Sequence, residues 1–151
     1  IFATLSFFFI FLGCGFQPIY KITNDTNIGW YSVEITNQVS REIVEEINSN
    51  ILQGENQKYK ALLNIGQDIT PLIVNTNGTV AKYRIEIEVN YELIQIDIDE
   101  VISRGTTRGF AQYDVTASEI INEDTRKSMI KIATKNAIQI MTSRIRSSIS
   151  R

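Results

Sequence analysis

A chain of 151 residues has room for one domain and one modest core. Fifteen basic against seventeen acidic side chains, with 43% hydrophobic residues, exclude a charge-driven disordered chain and a generic nucleic-acid binder. Histidine is absent and cysteine occurs once, at Cys14, so cysteine and histidine metal spacings, an intrachain disulfide and a His-activated nucleophile are excluded; no P-loop or G-x-G-x-x-G occurs either, and no cofactor is expected.

Residues 1–12 are almost all apolar and carry no charge. A membrane-spanning helix needs about 20 such residues, so a dozen fits the apolar region of a secretory signal peptide. No basic segment or initiator Met precedes it, which reads as a signal truncated at its start. Leu12-Gly13-Cys14-Gly15 looks like a bacterial lipobox, although Phe11 departs from the usual aliphatic residue. Residues 1–13 are then removed, and Cys14 becomes a diacylated N-terminus. Each buried acyl CH₂ contributes about 0.8 kcal/mol, so two or three chains hold a domain on a membrane. The other reading is an unmodified, buried thiol. Residues 14–30, with Pro18, Gly29 and a Thr-Asn-Asp-Thr-Asn run, read as a lipidated cysteine and tether, and 31–151 as a single domain.

Within that domain, Tyr31 to Thr36 alternates as a short strand, and Asn37 is placed to cap a helix. Val39, Ile43, Ile47 and Ile51 recur every fourth residue, with charges opposite, giving an amphipathic helix that stops near Gly54. Tyr59 to Gly66 alternates again. Asp68 to Val74 extends or bends this strand at Pro71, and Asn75 to Gly78 is a turn. The clearest segment puts Tyr83, Ile85, Ile87, Val89, Tyr91 and Leu93 on one face and Arg84, Glu86, Glu88, Asn90 and Glu92 on the other. Such alternation requires a sheet with one buried and one wet face. The apolar phase flips at Ile94, Ile96 and Ile98, which predicts a bulge or strand change, followed by a turn at Asp97 to Glu100.

Val101 to Val115 reads as a further strand, in which Gly105 and Gly109 mark bends or a close neighbour. From Ser118 or Asn122 onward runs a long helix with a stripe of Ile130, Ala133, Ala137, Ile138, Met141, Ile145 and Ile149. Its basic side chains are read as a solvated face or as an attraction to an acidic partner. The expected fold is α+β: a two-layer sandwich in which two helices pack on one face of an approximately four-stranded mixed or antiparallel sheet.

Two groups of residues on this frame invite chemistry. Glu86, Glu88 and Glu92 share one strand face at a spacing of about 7 Å between alternate residues, within reach of paired catalytic carboxylates. No apolar pocket is evident to raise either pKa. Lys82, Arg84, Arg104 and Arg108 come near one another if their two strands form a hairpin. They then either bind phosphate and carboxylate groups or balance the neighbouring glutamates.

Cys14-Gly15-Phe16-Gln17-Pro18-Ile19-Tyr20 resembles the lipidated start of lipopolysaccharide-assembly lipoproteins of the LptE (RlpB) family, especially its alphaproteobacterial members. Ala111-Gln112-Tyr113-Asp114-Val115, followed by Glu123-Asp124-Thr125-Arg126 opening the last helix, is similar to that family's ending. The resemblance implies a non-enzymatic outer-membrane lipoprotein, lipid-anchored and facing the periplasm and a barrel lumen. Its implied partners are an LptD-like β-barrel, which it plugs and helps to assemble, and lipopolysaccharide, which it helps deliver to the outer leaflet. Lys82, Arg84, Arg104 and Arg108 are the candidate lipopolysaccharide contacts. Two other readings stand beside it: an accessory lipoprotein of an ABC-type lipid-trafficking system, and a small hydrolase using the Glu86 to Glu92 carboxylates.

Overall fold

The computed structural model describes residues 31–51 and 57–149. Its elements in chain order are β1 (Tyr31–Ile35), α1 (Arg41–Asn50), β2 (Tyr59–Val74), β3 (Val80–Gln95), β4 (Glu100–Asp114) and α2 (Glu119–Ile149). The sheet order is β1-β2-β3-β4, with β1 parallel to β2 and the other neighbours antiparallel. The architecture is thus the expected α+β fold with a mixed sheet. Parallel pairing of β1 and β2 demands a crossover, and α1 supplies it.

The period-two pattern of β3 is the organising feature. Ile85, Ile87, Val89 and Leu93 are fully buried, flanked by Ala61, Leu63 and Ile65 from β2. Ile43 and Ile47 of α1 and the stripe Ile130, Ala133, Ala137, Ile138, Met141 and Ile145 of α2 close the same core. Thr134 joins that stripe as a buried polar residue. Its hydroxyl donates to the Ile130 carbonyl one turn earlier, at 2.8 Å, so this buried donor is not orphaned.

Helix α2 reaches the sheet closely because Gly109 has no side chain. A Cβ there would lie 1.9 Å from the Ala133 carbonyl oxygen and 2.6 Å from the Ala137 nitrogen. Thr107 donates to the Ala137 carbonyl at 3.0 Å, and Arg144 Nη1 donates to the Thr106 carbonyl at 2.8 Å. Strand β4 and α2 are therefore joined by packing and by hydrogen bonds at once.

Four local expectations meet the structure differently. Asn37 is no cap: α1 begins after Ser40, and Asn37 instead donates to the Ile65 carbonyl at 2.8 Å and accepts from its N–H at 3.0 Å. Its amide imitates a peptide group and continues the β1–β2 pairing past the last residue of β1. Helix α1 stops at Asn50, where buried Ile51 turns extended; Gly54 lies outside the described residues. Strand β2 runs straight through Pro71, with register shifts just beyond it. Proline is tolerated there because five-residue β1 leaves that stretch of β2 as a sheet edge. The predicted bulge appears between Leu93 and Ile94, but Ile96 and Ile98 lie in the β3–β4 turn and stay exposed.

Candidate functional site: the open face of the sheet

Helices cover one face of the sheet, and the alternate residues of every strand point away from them. Register builds this second face row by row across β2, β3 and β4: Leu62–Glu92–Arg104, Asn64–Asn90–Thr106, Gly66–Glu88–Arg108, Asp68–Glu86–Phe110 and Thr70–Arg84–Gln112. A final β3–β4 row is Lys82–Asp114. All four cations and all three glutamates singled out from the sequence lie on this one face.

They do not form one cluster. Ten residues separate the rows of Lys82 and Glu92, so Lys82 and Arg104 are roughly 33 Å apart along the strands. Arg108 bridges two carboxylates, with Nε 2.7 Å from Glu88 Oε2 and 3.2 Å from Glu86 Oε1. Arg84 Nη2 approaches Glu86 Oε2 at 3.6 Å, and its guanidinium lies 4.5 Å from the Phe110 ring centre. Lys82 Nζ is 3.1 Å from Asp114 Oδ1. Lys82 and Arg84 therefore sit near the β2–β3 turn and Arg108 at the middle of the strands, each beside an acid. Arg104 stands apart, opposite Glu92, and makes no ion pair among the described residues.

The carboxylates show the same pairing chemically. The hydrogen bond from Arg108, assisted by one from Asn90, holds the Glu88 carboxyl below its ordinary value, and the bond to Glu88 raises Arg108. A general acid needs the opposite shift. Glu45 is lowered chiefly by its hydrogen bond from Lys131, and Glu123 by that from Arg126. These three glutamates bind a proton less readily in the folded chain than in the unfolded one. Their contribution is whole above the unfolded glutamate pKa of about 4.3 and drains as pH falls through the lower folded values. The melting temperature is expected to decline as pH drops from about 5 to 3, less steeply in 1 M salt, where exposed pairs are screened within about 3 Å. A melting temperature flat across that range contradicts these pairings.

Two features of the face escaped the sequence reading. Phe110 is exposed and receives the Arg84 cation; its phase with Arg108 and Gln112 was the available signal. A shallow depression of about 400 Å³ also opens near β1, lined by Leu62, Asn64, Asn90, Glu92, Arg104 and Thr106. It could not be seen before the register of β2 on β3 was known.

The end of the sheet at the β2–β3 turn is apolar. Leu72, Ile73 and Val74 of β2 are exposed there, and so are Val115, Ile120 and Ile121 where β4 passes into α2. The turn is set by Gly78 at φ 84°, with the Asn75 N–H donating to the Thr79 carbonyl at 2.8 Å. Val115 N–H donates to the Ala81 carbonyl at 2.9 Å, which brings both apolar segments to the same end as Lys82. Cys14 lies outside the described residues. Among the described residues no helix is long and apolar enough to cross a membrane.

This architecture recurs in solved structures. A candidate lipoprotein of Caulobacter crescentus CB15 superposes with a TM-score of 0.63 at 13% identity, covering 80% of this chain and 90% of that one. The rare lipoprotein B of Shewanella oneidensis gives 0.56 at 12% identity, over 80% of this chain and 96% of that one. Lipoprotein B of Nitrosomonas europaea gives 0.56 at 12% identity, over 76% and 79%. At such identities the likeness establishes the fold. No curated protein matches significantly. The family model described as LptE, lipopolysaccharide-assembly, matches residues 16–145, nearly the whole of the described domain and part of the segment before it. The chain therefore belongs to the LptE family, whose role is in lipopolysaccharide assembly.

Proposed function

We propose that this chain is a non-enzymatic outer-membrane lipoprotein, anchored through Cys14, that plugs an LptD-like β-barrel, assists its assembly and helps deliver lipopolysaccharide to the outer leaflet. The observation that carries the reading is the sheet itself: one face is sealed by helices and the other is an open, polar surface more than ten residues long. The lumen of a large membrane barrel is polar. A face whose charges are mostly paired within themselves can lie against such a wall with few unpaired ions stranded.

The two ends of the domain suit the two ends of the task. Strand β1 begins at Tyr31, beside Tyr59, opposite the apolar β2–β3 end. Sixteen residues separate Cys14 from Tyr31, a reach of at most about 55 Å. The free end combines exposed Leu72, Ile73, Val74 and Ile120 with Lys82 and Arg84 close by on the open face, and Arg108 stands about 20 Å further along it. Apolar side chains beside cations are what acyl chains beside phosphates require. Arg104, far from that end, is the least suited of the four cations to this contact.

Photocrosslinking tests the orientation. A photoreactive residue at position 68 or 112, on the open face, is expected to capture the barrel in intact envelopes. Capture only from the outer side of α1, at positions 41 and 48, would show that the helices face the wall instead. The Cys14→Ala variant is expected to fold, with the same melting temperature, but to leave the membrane fraction and lose acyl label. Retention of label in that variant contradicts anchoring at Cys14.

A further inference from the structure

We propose that the depression beside β1 on the open face is a saccharide site that takes a neutral pyranose ring. The inference stands on that geometry and not on the barrel reading above. Elsewhere on this face most of the charged groups are paired: Lys82 with Asp114, Arg84 and Arg108 with Glu86 and Glu88, Lys60 with Glu34, with Asp68 the exception among the described residues. In the depression the two opposite charges are not. Glu92 and Arg104 are directly opposite in the β3–β4 register, yet among the described residues neither makes an ion pair or hydrogen bond. Asn64 likewise has no hydrogen-bond partner among the described residues. A pair at that separation is within easy reach, so its open arrangement leaves a carboxylate and a guanidinium free on neighbouring strands in one small basin.

The composition of the basin selects the ligand. Its volume, about 400 Å³, lies in the lower part of the range for small-molecule sites, about 300–1,000 Å³. Asn64, Asn90 and Thr106 form one row across three strands and offer both donors and acceptors. Asn90 is already oriented, since its Oδ1 accepts from Thr106 Oγ1 at 2.6 Å and its Nδ2 donates to Glu88 Oε1 at 3.2 Å. Leu62, in the adjacent row, supplies an apolar patch between the polar groups. By strand alternation Tyr91 and Gly105, which also border the basin, turn their main chain toward it.

Adjacent hydroxyls of a sugar ring need planar groups that give and receive hydrogen bonds in pairs, and the ring's C–H face needs an apolar patch. Amides, a carboxylate, a guanidinium and Leu62 meet both needs. A simple anion fits worse, because Glu92 faces Arg104 and cancels its charge. An apolar ligand would strand the amides.

The test is a titration of the isotope-labelled full chain in detergent micelles, followed by amide and side-chain NMR shifts. Probes are the methyl glycosides of mannose, glucose and galactose, a deacylated and dephosphorylated lipopolysaccharide core oligosaccharide, a linear peptidoglycan glycan, and inorganic phosphate. Saturable shifts confined to residues 62–64, 90–92 and 104–106, with a dissociation constant on the order of 1–10 mM for a single sugar, are expected. The core oligosaccharide or the peptidoglycan glycan binding at least tenfold tighter than the methyl glycosides then identifies which source supplies the sugar. Asn64→Ala and Arg104→Ala, both exposed, are expected to weaken sugar binding at least tenfold with unchanged melting temperature. Shifts with phosphate alone would overturn the proposal in favour of an anion site. No shift with any sugar, or shifts unaltered in both variants, would also overturn it. None of these outcomes bears on whether the chain binds a barrel.

Discussion

Replacing Gly109 with alanine is expected to destabilise the domain by about 3 kcal/mol, the upper end of the usual cost of overpacking. The added methyl would fall 1.9 Å from the Ala133 carbonyl oxygen and 2.6 Å from the Ala137 nitrogen. These are backbone atoms of a helix, so no side-chain rotation relieves the contact. Helix α2 has to lift from β4 by more than an ångström, loosening the Thr107 bond to Ala137 and the buried stripe together. With typical domain stabilities of about 5–15 kcal/mol, a loss of this size shifts the urea midpoint strongly and weakens cooperativity. A midpoint within experimental error of the parent would mean that α2 does not sit on β4 as described.

The second large effect is expected from Ile87→Ala, at roughly 3–4 kcal/mol. Ile87 is fully buried in the middle of β3, opposite Gly109 in β4 and Gln67 in β2. Truncation removes three carbons from the core beneath α2, where β3 is held on both sides and collapse is restricted. The cost is therefore a transfer loss plus a retained cavity. Equilibrium urea unfolding of the full chain measures it. A change below about 1 kcal/mol, the scale of a surface substitution, would contradict the placement of this face in the core. The same substitution at Glu86, one residue away on the open face, serves as the control and should cost far less.

These effects were legible in outline before any coordinates. The alternation from Tyr83 to Leu93 declares a half-buried strand, and the four-residue recurrence in α1 and α2 declares the helices that cover it. Gly109 announced a close neighbour because a missing side chain in a strand needs a reason. What could not be read was anything set by register between distant strands. Asn37 looked like a helix cap because its local neighbours are those of a cap; its partner, Ile65, is 28 residues away. The cations looked like one cluster because Lys82 and Arg84 lie two residues apart, Arg104 and Arg108 four apart, and a hairpin sets their two strands side by side. Antiparallel pairing sends their ends in opposite directions, so Arg108 meets Glu88 while Arg104 is carried away to Glu92. The depression needed β2 as well, since Leu62 and Asn64 enter it from a strand that sequence alone did not align. The lipobox reading of Cys14 rests on residues beyond the described domain, and remains a proposal with its own test.

The central claim is that a barrel is the partner of this open-faced domain. Its most direct test is a mild-detergent pull-down of the tagged, full-length protein from native outer membranes, with co-purifying proteins identified by mass spectrometry. Recovery of one large LptD-like β-barrel at near-equal stoichiometry is the predicted result. Recovery of an ABC permease or a tunnel-forming protein in its place, with no barrel, would contradict the account.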